Sequence, residues 1–171
     1  MSFIDVFGKI NPIPGWMGKG DCEVLYKYGS QSKGLIVEIG SHLGRSAALL
    51  ALSNPDVEVV TIDVTNYPEL QENAKRFNFT QITGESRVVG ESWSRGPIDL
   101  LFVDGDHSFE GVWYDIRTFV SKMGPRGLML FHDYYDDDMD RPGYRVTETI
   151  RASKLVKVVS VESGIAICER A

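Results

Sequence analysis

The chain has 171 residues, 43% of them hydrophobic, and a formal net charge of -6. That length and apolar content suit one domain with its own core and leave no room for a second. The negative charge without a basic block argues against a nucleic-acid partner, and no apolar run approaches the roughly 20 residues that span a bilayer.

The opening stretch MSFIDVFGKINP carries an early acid and no continuous apolar core, so it does not read as a secretory signal. Cys22 and Cys168 are too few and too far apart for a disulfide framework, and read as reduced residues of a cytoplasmic protein. Met1 to Ile10 predicts a short helix, stopped by Asn11-Pro12-Ile13-Pro14-Gly15. Trp16 and Met17 follow, either as a flap over a flat ligand or as packing against the sheet edge. Asp21 stands where it can cap a helix running to about Tyr28. Residues 1–33 thus read as a helical cap region, and residues 34–171 as a single α/β core.

Leu35-Ile36-Val37 predicts a strand buried on both faces. It ends in Glu38-Ile39-Gly40, a turn with glycines at 40 and 44, and Ser46 to Ala51 reads as a helix start. A strand, a glycine turn and a helix N-terminus make a ligand-binding corner, because backbone N–H groups there point outward unpaired. The spacing is E-x-G-x-x-x-G, not the G-x-G-x-x-G of dinucleotide sites. A looser turn with an acid before it suits a cationic, pyrophosphate-free ligand better. A plain glycine-rich strand–helix turn is the alternative.

Val57 to Asp63 predicts the second strand, and Asp63 lies close to the roughly 20-residue offset at which a carboxylate meets ribose hydroxyls. Asn66 to Leu70 opens a helix continuing through Arg76. Phe79 to Ile82 is a third strand, ending in Thr83-Gly84-Glu85-Ser86 at the carboxyl edge where open α/β sheets bind ligands. Glu85 or Ser86 could meet an adenine edge there, or form a solvated turn. Ser86 to Trp93 is a short helix. Ile98 to Asp104 is the fourth strand, followed by Gly105-Asp106-His107. Phe109, Val112, Trp113, Ile116, Phe119, Val120 and Met123 then recur at the spacing of one buried helical face. Gly124-Pro125-Arg126-Gly127 stops that helix. Leu128 to Phe131 is the fifth strand, ending in His132-Asp133-Tyr134, with an acidic loop from Tyr135 to Gly143. Tyr144 to Ser153 is a helix, and Leu155–Val161 with Ile165–Cys168 a closing hairpin. The expected fold is α/β: a Rossmann-like, doubly wound, mostly parallel sheet with right-handed crossovers and one antiparallel strand at the edge.

VEIGSHLGRS, TIDV, ITGES, IDLLFVDGDHSFEGVWYDI and GLMLFHDY stand in the order and spacing of small class I S-adenosylmethionine-dependent O-methyltransferases. The chain resembles that family from Ile13 to its end. Within it, the chain is most similar to the group of macrocin-type sugar O-methyltransferases and cephalosporin-hydroxylase-like proteins; catechol-type enzymes are more distant. The resemblance implies that Glu38, Gly40, Ser41 and Gly44 surround the methionine part of S-adenosylmethionine, Asp63 its ribose, and Glu85 and Ser86 its adenine. It also puts Asp104 beside the cofactor. It further implies a divalent metal (Mg, Mn or Fe) held by Asp104, His132 and Asp133. The departure is His132, where macrocin-like and catechol-type enzymes carry an acid. Two carboxylates and an imidazole suit Mn²⁺ or Fe²⁺ better than Mg²⁺. His107 matches the histidine of an Asp-x-x-His motif that serves macrocin-like enzymes as general base. An imidazole near a divalent cation should have a lowered pKa and stay neutral at pH 7. Capping of the next helix is its other reading, and His42 reads as a tolerated loop residue.

The function expected is metal-assisted O-methylation of a small-molecule or sugar hydroxyl. Trp16, Tyr134, Tyr135 and the acidic loop are its expected walls. A non-catalytic S-adenosylmethionine- or nucleotide-binding module is a second reading. A nicotinamide-dependent oxidoreductase is a third, disfavoured by the missing third glycine and substrate domain. No nucleic acid and no membrane is expected as partner, and a homodimer is left open.

Overall fold

The structure is a computed structural model, and it describes residues 1–135 and 144–171. The acidic loop beyond Tyr135 therefore lies outside the described residues. At the N-terminus, α1 (Phe3–Ile10) opens on a capping box, in which Ser2 and Asp5 each satisfy the other's backbone N–H. The second helix, α2 (Lys19–Gln31), starts earlier than expected. Asp21 is not its N-cap but its third residue, where its carboxylate accepts from the N–H of Gly18 at 2.7 Å.

Seven strands follow: β1 (Leu35–Ile39), β2 (Val59–Asp63), β3 (Thr80–Thr83), β4 (Ile98–Val103), β5 (Met123–Phe131), β6 (Val156–Glu162) and β7 (Ile165–Arg170). Between them run α3 (Arg45–Ser53), α4 (Pro68–Phe77), α5 (Ser86–Glu91), α6 (Phe109–Phe119) and α7 (Tyr144–Ser153). They form one sheet in the order β3-β2-β1-β4-β5-β7-β6, parallel from β3 to β5 and antiparallel beyond. Strand order reverses between β1 and β4. This is the switch point at which the crossovers leave to opposite faces and open a crevice.

The period-2 alternation sorts the core. Ile36, Leu100, Phe102 and Leu130 pack with α1 to α4 on one face. Val37, Leu101, Val103, Met129 and Phe131 pack with α6 and α7 on the other. Glu38 comes two residues after Ile36 and shares its face, which buries an acid completely. Both cysteines are free and buried. No helix among the described residues is long and apolar enough to cross a membrane.

Two expectations are corrected. The fifth strand begins at Met123 rather than Leu128, because Met123 pairs with Ile98 before the ladder resumes at Leu128 opposite Leu100. Pro125 and Arg126, read as a turn, stay exposed inside that register shift. The closing hairpin supplies the one strand that runs against the others, β7, but it lies inside, against β5, while β6, antiparallel to β7 and so aligned with the rest, takes the edge. Pairing β7 inward covers β5 and leaves the half-exposed β6 outside.

The switch point rests on Gly40, whose φ is +93°, and a Cβ there would fall on the carbonyl of Asp104. Gly40→Ala combines that clash with a left-handed backbone and should destabilise the fold by at least about 2 kcal/mol. The midpoint of urea unfolding reads this. An unchanged midpoint would mean that the two strand ends are free to part.

Candidate active site

The corner after β1 is closed by its own hydrogen bonds. Ser41 and His42 donate their backbone N–H groups to one oxygen of Asp63, at 2.9 and 2.8 Å. Thr65 donates to its other oxygen at 2.8 Å. Gly40 donates to the carbonyl of Ile62, and Gly44 to that of Ser41. The outward, unpaired amides expected here are therefore spent, at these four positions, inside the protein. Asp63, expected beside a ribose, is first of all the tie that shapes the turn.

Behind the corner, the Thr61 hydroxyl links Glu38 Oε2 to the hydroxyl of Ser41. Glu38 Oε1 is buried without a hydrogen-bond partner. Burial pushes the Glu38 carboxyl up to about 7; the hydroxyls of Ser46 and Thr61 oppose this, and the charges of Asp104 and Asp63 add to it. Glu38 was expected around the methionine part, but it lies beneath the floor of the cleft and not in its lining.

The cleft runs along the carboxyl ends of the parallel strands and encloses about 860 Å³. Gly40, Ser41, Asp63, Glu85, Ser86 and Asp104 all line it. At one end the Ser86 hydroxyl donates to Asp115 Oδ1 at 2.5 Å, and burial pushes the Asp115 carboxyl up to about 6. Asp115 was missed in the sequence because α6 was read only as a core stripe. It stands three residues after Val112 and four before Phe119, so an acid inside the apolar stripe was the available signal. At the mouth, Trp16 is 83% exposed and lies over His42, ring centroids 4.6 Å apart, while Met17 is buried. Of the two expectations for this pair, a flap fits Trp16 and packing fits Met17.

At the ends of β4 and β5 four side chains meet. His107 Nε2 is 3.3 Å from Asp104 Oδ1, and its Nδ1 is 3.3 Å from Asp133 Oδ2. His132 Nδ1 lies 3.1 Å from the same Asp104 oxygen and 3.4 Å from Asp133. Its Nε2 faces Asp21 of α2 at 3.7 Å, and Asp21 accepts from Ser163 in the β6–β7 turn at 2.9 Å. Tyr135 donates its hydroxyl to Asp133 at 2.9 Å. Tyr134, expected as a substrate wall, is instead buried in the core.

Among the described residues, the set whose ligand atoms all lie within 4.8 Å of one another is Asp104, His107 and Asp133. It differs in one member from the expected Asp104, His132 and Asp133. An oxygen–nitrogen–oxygen set of this kind fits a divalent cation. Burial acts to raise the Asp104 carboxyl, but the two imidazoles hold it below its ordinary value. The His132 imidazole beside Asp133 holds that carboxyl down at about 2. Burial acts to lower His132, yet Asp104, Asp133 and Asp21 push it up to about 12. Asp104 likewise raises His107. In the protein alone this is opposite to the lowering expected beside a cation.

A family model described as a methyltransferase domain matches residues 37–134, from the middle of β1 to the end of the His-Asp-Tyr segment. The chain belongs to that family. Its fold is shared with solved O-methyltransferases. The O-methyltransferase from Bacillus cereus in complex with SAH is 18% identical, with a TM-score of 0.72, covering 99% of this chain and 89% of that one. TomG from Streptomyces achromogenes, involved in tomaymycin synthesis and solved with SAM, is 17% identical at a TM-score of 0.72, covering 99% and 87%. CalS11, a TDP-rhamnose 3'-O-methyltransferase of calicheamicin biosynthesis, is 16% identical at 0.61, covering 85% and 76%. The methyltransferase expected from the sequence motifs, and its class I fold, are borne out.

Glu38 makes the stability of the protein depend on pH. Its folded value of about 7 lies above its ordinary 4.5, so the stability tied to its protonated form is complete below pH 4.5 and lost as the pH rises through 7. Glu38→Gln keeps the shape and the acceptor for Thr61 but cannot ionise. It should recover on the order of 3 kcal/mol above pH 7 and flatten the curve between about pH 5 and 7. Denaturation midpoints across that range measure it. A slope equal to that of the parent protein would assign the dependence to other groups.

Proposed function

We propose that this methyltransferase binds S-adenosylmethionine in the cleft and, with a divalent cation, methylates a hydroxyl of a small molecule or sugar. The carrying observation is the electrostatics of the cleft. The corner has spent the amides that a pyrophosphate would need, and carboxylates (Asp63, Glu85, Asp104, Asp115, Asp133) outnumber the guanidiniums of Arg45 and Arg87 along the walls. Such a site favours a ligand bearing a sulfonium and an ammonium over a nicotinamide dinucleotide. The likeness to a TDP-rhamnose methyltransferase and to an enzyme of tomaymycin synthesis supports a sugar or small-molecule acceptor. The free, buried thiols support a place in the cytoplasm.

Gly40, Ser41 and Gly44 then underlie the methionine part, with Glu38 supporting Ser41 from behind. A carboxylate has about four lone-pair positions, so Asp63 can still accept from a ribose hydroxyl beside its three backbone donors. Glu85 and Ser86 border the base. Methyl transfer is an in-line displacement, for which the protein supplies alignment and a deprotonated nucleophile. Asp104 and Asp133 would supply the oxygens that hold a cation, and that cation would lower the pKa of the acceptor hydroxyl. Of the two histidines, His107 has 34% of its side chain exposed and His132 only 11%. His107 is the one that can turn a nitrogen to the hydroxyl and take its proton. His132 is wedged between Asp104 and Asp21 and keeps its own.

Asp63→Ala should weaken S-adenosylmethionine binding in calorimetry by about 1.5–3 kcal/mol for each charge-assisted bond lost. Unchanged affinity would remove Asp63 from the ribose. EDTA should abolish turnover and Mn²⁺ restore it, whereas full activity in EDTA would leave a metal-free site. His107→Ala should lower kcat about 10²–10⁴-fold with cofactor affinity retained. Near-normal turnover in that variant would reduce His107 to a neighbour of Asp104.

A further inference from the structure

The sheet ends on an edge that methyl transfer does not use. β6 is that edge, and among the described residues no strand pairs with its outer side. Natural edges are blunted by shortness, proline or charge, because their N–H and C=O groups are a template for another strand. β6 has seven residues, no proline and a single lysine, and its Val159 and Val161 are 54% and 43% exposed.

A bulge decides which of its side chains share a face. Lys157 lies opposite Glu169 and Val158 opposite Cys168, but Ser160 lies opposite Ile167, so Val159 is the extra residue. Beyond it, Val161 lies opposite Ala166 and Glu162 opposite Ile165. Opposed residues share a face, and faces alternate along a regular strand. On β7, Glu169 and Ile165 are an even number of residues apart, and so are Cys168 and Ala166. Lys157 and Glu162 therefore share one face, and Val158 and Val161 the other. In a strand without the bulge, each of those two pairs would point to opposite faces.

We infer that β6 pairs antiparallel with β6 of a second copy of this chain, about a two-fold axis between Val159 and Ser160. In that register Lys157 meets the partner's Glu162 at both ends of the strand, on one face of the joined sheet. Val158 meets the partner's Val161 on the other. A strand can pair with itself about a two-fold axis only where its halves match in face and in charge. The bulge gives β6 the first match, and the Lys157 and Glu162 charges the second. Lys27 and Tyr28 of α2 already donate to Glu162, each at 2.8 Å. A carboxylate has about four lone-pair positions, so it can accept a second lysine as well. Glu169 faces Lys157 from within the chain and adds no like charge to it. The inference is independent of the methyl-transfer reading.

Sedimentation of the full chain should show twice the chain mass at about 10–100 µM, the weak end of specific association. Hydrogen exchange of the same protein should slow at residues 157–162 as the concentration rises, a readout that needs no variant. Lys157→Glu opposes acids at both strand ends, and Glu162→Lys opposes lysines there. Each variant alone should associate at least about tenfold more weakly than the parent protein. Mixed one to one, the two variants oppose unlike charges again at both ends, and should form a heterodimer within about threefold of the parent affinity. Thermal unfolding reads whether each variant is folded. A parent protein that stays monomeric at about 100 µM overturns the inference. A dimer without added protection in β6 overturns it too, and puts the contact elsewhere. Folded variants whose mixture stays monomeric rule out this register and the inference with it.

Discussion

At the end of β1 the backbone of Gly40 approaches that of Asp104 so closely that no side chain fits between them. The N–H of Asp104 continues the ladder by donating to Ile39 at 2.8 Å, and His132 does the same to Val103 at 3.0 Å. Three strand ends are thereby drawn to one line at the switch point of the sheet. The glycine corner, the Asp104 carboxylate and the His132-Asp133 pair all take their positions from it. Without that approach the cleft would have no common floor.

The corner shows how one local geometry can serve opposite ligands. A strand, a glycine turn and a helix start present backbone amides that elsewhere cradle phosphate. Here Asp63 supplies the anion internally, and takes the N–H groups of Ser41 and His42. The turn becomes rigid and its remaining field is negative. Glu38 supports the turn from below, and holds Thr61 and Ser41 in line with its one partnered oxygen. A cation is what such a place can stabilise.

The acid–imidazole cluster draws on parts of the chain far apart in sequence. Asp21 arrives from the N-terminal helices, Ser163 from the last hairpin, and Tyr135 from beyond β5. The helical cap is thus tied to the site through His132. The same contacts separate the two histidines: one is enclosed by acids, the other stands at the rim.

Much of this was legible in the chain itself. Runs such as Leu35-Ile36-Val37 and Leu100-Leu101-Phe102 announce buried strands, because local periodicity and burial on two faces leave few other solutions. Gly40, Asp63, Asp104 and His107 fall at the ends of such runs, and strand ends are where an open sheet gathers its site. What only the tertiary structure decided depends on pairing between segments remote in sequence. The spacing of Asp63 could not show that its oxygens turn back onto the corner. The order Asp104, His107, His132, Asp133 could not show which imidazole would be pinned, since Asp21 and its helix decide that. Asp115 read as one position of a core helix until Ser86 was brought against it. Strand and helix preferences act over a few residues, whereas the partner of a side chain is set by which surfaces the whole sheet brings face to face.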